Sequence, residues 1–256
     1  GIAGAAIASS VSEAVSLLFF IIYTSMTADK RKYGFRRAFT LRPHLLKGML
    51  SISGWTMVQS FISVSIWFIF FLAIEHLGER PLAVTNIVRN ISALLIMVIS
   101  AFATTAGALI SNQIGAGEQR CLFKTCGMTL KLTYAILIPL LIILCLFPES
   151  VLRAFTDSPS LIAASVNSVY VMASSTLIMA PSFILFNAVS GTGNTRAGFI
   201  MEMISLAVYT AVIYYGIIRL KPDVALCWFS EHVYGVTLIF LAWWYLKSGK
   251  WRGKKV

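Results

Sequence analysis

The chain has 256 residues, is 58% hydrophobic and 12% charged, and has a mean hydropathy of +0.81. A soluble domain carries about 25% charged residues, so this composition excludes a water-soluble enzyme or binding module and points to a polytopic membrane protein. The formal net charge of +11 does not mark a nucleic-acid binder, which needs a basic face on a folded domain.

A membrane-crossing helix needs about 20 mostly apolar residues. The first candidate covers residues 2–26. It begins beside Gly1, with no Met and no charged leader, and is too long for the apolar core of a signal peptide. We therefore expect a fragment, or a chain that has lost its N-terminal part. Residues 27–47, "TADKRKYGFRRAFTLRPHLLK", form a basic linker. It is either a solvated connection or an amphipathic segment lying on lipid headgroups.

Residues 48–247 are expected to form a six-helix lobe, followed by a basic tail over 248–256. Its spans are predicted at 50–74, 83–110, 130–147, 161–189, 197–218 and 224–246. Breakers separate them: Gly78 with Pro81, Gly115 with Gly117, Pro148 with Pro159, Gly191 with Gly193, and Pro222. The runs are continuous rather than alternating, so the fold class is all-α with seven transmembrane helices, not a barrel.

Orientation follows from the 21 Lys and Arg residues. Arg89 lies within a span, and Arg80, Arg153, Arg219 and Lys221 fall on one side. The other sixteen fall on the opposite side, which the positive-inside rule assigns to the cytoplasm together with the C-terminus. Four cysteines include no zinc-type spacing. Neither a metal nor a cofactor is expected.

"NAVSGTGNTR", residues 187–196, has the glycines of a phosphate cradle but neither the spacing nor the Lys of a P-loop. It reads as a tight turn: Gly191 ends one span, and Asn194 or Thr195 caps the next. "SNQIGAGE", residues 111–118, closes the third span in the same way.

Together these two turns resemble the signature turns of the multidrug and toxic compound extrusion (MATE) transporters. They close the second and fourth helices of a six-helix unit. The opening "GIAGAAIASSVSEAVSLLFF" is similar to the sixth helix of such proteins, and "IEHLGERPLAVTNIVRNI" resembles their outer turn after the seventh. The resemblance implies the last helix of an N-terminal lobe followed by a complete C-terminal lobe, with the rest of the first lobe as the missing partner. It implies no enzyme. The expected function is export of small organic, often cationic, compounds across a bacterial cytoplasmic membrane. Na+ or H+ would be the coupling ion, and two bundles would rock around a central cavity. Sodium-coupled relatives carry an acid mid-way along the first and fourth helices of this lobe. The equivalent positions here are near Ser63 and Met179, neither acidic, which leaves the first lobe as the other place for a coupling carboxylate.

Charges inside spans cost about 2.5–3.5 kcal/mol or more at the centre, so each should face protein or a water-filled cavity. Glu13, Arg89, Glu202 and Glu231 are such residues. Counting about 1.5 Å per residue puts Arg89 and Glu231 at similar depths, about 9–10 Å from the outer side. An Arg89–Glu231 pair is therefore expected, as structural clamp or as gate. Glu202 lies about 8 Å from the inner end and more than about 10 Å from Glu231 in depth. It either receives a cation or substrate, or snorkels to water or meets Arg196. Gln59, Asn86 and Asn187 are further cavity candidates, because an amide has four hydrogen-bonding positions to satisfy. Ser51 to Ser65 read as helix-packing groups, and Trp243, Trp244, Tyr245 and Trp251 as interfacial anchors.

Three other readings compete with an efflux lobe. A lipid-linked oligosaccharide flippase would want several cations lining its cavity, and only Arg89 is available. A membrane-embedded enzyme is disfavoured because His232 and Glu231, as neighbours, face different sides of a helix. The third is a fragment inactive without its first lobe.

Overall fold

The computed structural model describes residues 2–27, 43–249 and 251. Seven of its helices are long and apolar enough to cross a membrane. The chain divides into two compact units, Gly1–Leu50 and Ser51–Val256. The first contains α1 (Ile2–Thr27), whose apolar side chains from Leu17 to Ile22 are more than half exposed. Most of the basic linker, residues 28–42, lies outside the described residues, and so does the headgroup-binding expectation for it.

Helix α2 runs Pro43–Glu75, opening on a proline whose fixed φ suits a first helical turn. Helix α3, Glu79–Gly115, is longer at both ends than hydropathy suggests. Pro81 sits in its first turn, where a missing N–H breaks nothing, so it starts the helix instead of stopping it. Helix α4 (Leu122–Leu146) begins eight residues earlier than expected. Its polar first half holds Thr129 and Thr133, each donating to the carbonyl one turn back at 2.9 Å. Their hydroxyls are satisfied within the helix and do not interrupt it.

A short α5 (Pro148–Leu152) leads to α6 (Pro159–Gly191). Helix α7 (Thr195–Val212) passes into wide π-helical turns over Ile213–Arg219. The last expected span is in fact two pieces, α8 (Val224–Cys227) and α9 (Ser230–Ser248). Asp223 caps the first by accepting from the Val224 amide at 2.7 Å.

Helix α6 is the centre of the second unit and packs on α3, α4 and α9, while α9 also packs on α7. Lipid is as apolar as leucine, so such contacts rest on close packing and small residues more than on hydrophobic burial. The α3–α6 contact shows this at Gly107 and Gly191. A Cβ on Gly191 would stand 2.5 Å from the Gly107 carbonyl oxygen, and one on Gly107 would stand 2.9 Å from that of Asn187. Gly191 thus ends α6 as expected, but its lack of a side chain serves helix approach. The turn proper belongs to Gly193, at φ +79°, and Asn194 caps α7 by accepting from the Ala197 amide.

Pro181 lies inside α6 and removes the N–H that the carbonyl four residues earlier, Leu177, would bond. Tyr134 of α4 donates its hydroxyl to that carbonyl at 2.8 Å. One break in the helix ladder is repaired by a neighbour, as a bilayer interior requires.

Candidate functional site

Glu202 and Tyr209 stand seven residues apart on α7, two turns and therefore one face. Glu231 and Tyr234 stand three apart on α9, again one face. Because α7 and α9 pack together, each tyrosine meets the other helix's carboxylate. Tyr234 donates to both oxygens of Glu202, at 2.9 and 3.1 Å, and Tyr209 donates to Glu231 at 2.8 Å. The two rings meet edge to face at 5.8 Å. Ser63 of α2 completes the surroundings of Glu202 with a 2.7 Å hydrogen bond.

These groups line one cavity of about 320 Å³. Helix α3 supplies Ile96, Ser100 and Thr104, and α6 supplies Met179, Phe183, Phe186 and Asn187. Trp67 and Ile66 of α2 close it beside Leu206 and Leu238. Among the described residues that line it, none is a Lys, Arg or His. Yet both carboxyl groups are withdrawn from the surface, Glu202 being 4% and Glu231 6% exposed. Two acids face a mostly apolar, aromatic space with hydroxyl donors but no positive side chain among the described residues. A charge in such a place is several kcal/mol dearer than in water unless a cation joins it.

Of the residues singled out in the sequence, Glu202, Glu231 and Asn187 come together here. Asn187 donates its own amide back to the Phe183 carbonyl at 2.9 Å. Gln59 and Asn86 are half-buried and do not line the cavity. Glu13 is exposed on α1, in the other unit.

The expected Arg89–Glu231 pair does not form. Arg89 is exposed, with its guanidinium 5.2 Å from the Phe71 ring centre, while Glu231 is bonded by Tyr209. Equal depth fixes height but not azimuth. Val84, Val88, Ile91 and Leu95 mark the inward face of α3, and Arg89 falls outside it. Nor does Glu202 reach Arg196, which is exposed; three hydroxyl contacts hold it instead. His232 does turn away from Glu231, bonding Ser174 at 2.9 Å and stacking on Phe229. Tyr245 and Trp251 are not simple anchors: Asn194 donates to the Tyr245 hydroxyl at 2.6 Å, and Trp251 is 2% exposed. Among the described residues no cluster of His, Cys, Asp or Glu could hold a metal ion.

The MatE family model matches residues 56–215. The chain belongs to the MATE family. This MATE chain is 23% identical over 218 residues to an uncharacterized transporter, YisQ, of Bacillus subtilis strain 168, across 80% of this chain and 45% of that protein. Its fold is similar to the bent form of the MATE transporter VcmN of Vibrio cholerae, with a TM-score of 0.73 at 15% identity, covering 81% and 48% of the two chains. A multidrug resistance MATE transporter in an outward-facing conformation matches at TM-score 0.70 and 14% identity, over 80% and 46%. The MATE chain thus spans about half the length of the relatives it matches. The family is one of ion-coupled membrane transporters, so the membrane-enzyme reading falls. The fold expected from the turns, a multi-span all-α lobe, is the fold observed.

The tyrosines were not legible as site residues before the structure. The signal was present: a Glu and a Tyr at helical spacing in each of two adjacent spans.

Proposed function

We propose that this chain is the cation-coupling lobe of an antiporter that exports small organic, often cationic, compounds by alternating access. The observation that carries the reading is the cavity of Glu202 and Glu231, two buried carboxyl groups with no cationic side chain among the described residues around them. Ser63 and Met179, near which the family resemblance puts the acids of sodium-coupled relatives, both line this cavity. The acid missing from α2 is replaced from α7: Glu202 reaches Ser63 across the space. Coupling therefore needs no carboxylate from elsewhere. Na+ or H+ is taken up here, and because the cavity differs between transport states the bound cation biases the equilibrium between them.

The remainder of the protein is a first lobe that closes the transport path. We place the basic connections and the C-terminus in the cytoplasm of a bacterial cell. Single cysteines introduced for Glu118 and Asp157 should then be labelled by an impermeant thiol reagent from opposite sides, and labelling from the same side would refute the topology. A flippase is not favoured, since the described lining of the cavity offers no cation to hold a lipid pyrophosphate.

The test is dye efflux from vesicles carrying the two-lobed transporter under imposed sodium or proton gradients. Export should follow one inward gradient, and export indifferent to both would overturn the reading.

A further inference from the structure

The cavity is far larger than a bare ion needs. A water molecule's share of liquid volume is about 30 Å³, and the space here is about 320 Å³, within the range of small-molecule pockets. Its walls are those of a ligand pocket: Trp67, Phe183, Phe186, Tyr209 and Tyr234 present aromatic faces or edges, with Met179 and four aliphatic residues between. Aromatic faces attract organic ammonium groups. What sets this cavity apart is two acids rather than one.

The acids stand at different levels. Tyr209 marks the height of Glu231 on α7, seven residues from Glu202, and Tyr234 marks the height of Glu202 on α9, three residues from Glu231. At about 1.5 Å per residue these intervals bracket an axial separation of roughly 5–10 Å. Ring-to-ring contact between the two tyrosines fills the interval with an aromatic surface. The carboxyls are also unequal. Glu202 accepts hydrogen bonds at both oxygens, whereas Glu231 accepts only at Oε1 among the described residues. Glu231 itself lines the cavity.

We infer that the cavity accepts an organic dication, two ammonium centres joined by an apolar spacer, with one centre at Glu231, the other at Glu202, and the spacer against Tyr209 and Tyr234. A monocation would leave the second buried carboxyl in need of a proton or another cation. A dication compensates both, and its spacer replaces water along the aromatic walls. This rests on the reading above in one respect, that the same carboxyls carry the coupling cations. One dication leaving as two monovalent cations enter then keeps the charge in the cavity constant, and the two ligands exclude each other by occupying the same oxygens.

The test uses the full chain in detergent micelles and isothermal titration with three probes: 1,5-diaminopentane, pentylamine and 1,2-diaminoethane. The first should bind at least about tenfold more tightly than pentylamine, the lower end of couplings measured between close charge pairs. 1,2-diaminoethane, too short to reach both acids, should lose most of that advantage. Glu231→Gln and Glu202→Gln should each bring the diamine down to the level of pentylamine, while Glu75→Gln, an exposed acid outside the cavity, should change nothing. Equal affinity for 1,5-diaminopentane and pentylamine in the unaltered chain would overturn the inference whether or not the variants fold. So would an advantage that survives both Gln variants. Vesicle efflux separates the two ideas: gradient-driven export without diamine preference sinks only the dication, and diamine preference without gradient-driven export sinks only the coupling role.

Discussion

Replacing Gly191 with Ala tests how the α3–α6 contact holds the cavity open at its correct width. The added Cβ would lie 2.5 Å from the Gly107 oxygen and 3.2 Å from its carbonyl carbon and Cα. All three are backbone atoms, so no rotamer change relieves the clash and the helices must part by several tenths of an ångström. Overpacking of this kind costs about 1–3 kcal/mol, and for a domain of this size about 2–4 °C of melting temperature per kcal/mol is typical. A fall of roughly 2–12 °C is expected in detergent by thermal denaturation. Gly107→Ala, whose Cβ meets the Asn187 oxygen at 2.9 Å, should be milder. The double variant should fall by less than the sum, because one separation of the helices serves both. Gly127→Ala, with nothing within 4 Å, is the control. Ser100 and Thr104 of α3 line the cavity opposite Phe183 and Asn187 of α6, so export should fall alongside stability. A Gly191→Ala protein melting within 1 °C of the original, when denaturation of the control is also unchanged, would refute the packing argument.

Tyr234→Phe removes the donor to both Glu202 oxygens; hydrogen bonds to charged groups contribute about 1.5–3 kcal/mol, so kcat/KM for export should fall about tenfold or more. Tyr170→Phe, whose exposed hydroxyl makes only a 3.4 Å contact, should stay within twofold in the same assay. Arg89→Ala should leave export within about twofold, and a double-mutant cycle with Glu231→Ala should give a coupling below about 0.5 kcal/mol; a larger value would restore the pairing that the structure denies. Tyr134→Phe should lower stability by about 0.5–1.5 kcal/mol, as the Leu177 carbonyl beside Pro181 loses its donor, and an unchanged melting temperature would contradict that repair.

Much of the fold could be read before the structure because the bilayer imposes one period and one length on every span. The seven spans and the turns at Gly193 and Gly117 stand where hydropathy and turn chemistry put them. Ends were less legible. Threonines in α4 lower hydropathy yet bond their own helix, and Pro81 and Pro181 carry opposite meanings for the same residue type, depending on whether an N–H is needed there. The site was half legible. Buried acids stand out in an apolar run, so Glu202 and Glu231 can be singled out as candidates, and both line the cavity. Their partners do not stand out, since a residue count gives depth along the membrane normal but not the direction a side chain faces. That missing angle sends Arg89 outward and brings Tyr209 and Tyr234 inward.

The central claim is that Glu202 and Glu231 carry the coupling cation. It is tested most directly by cation movement itself, as substrate-induced release of sodium or protons measured in vesicles carrying the two-lobed transporter, beside Glu202→Gln and Glu231→Gln variants that still melt cooperatively. Substrate added to the original protein should release cation, and each variant should release less than about a tenth as much, the loss of one charged partner being worth more than 1.4 kcal/mol. Undiminished release from both variants would contradict the account.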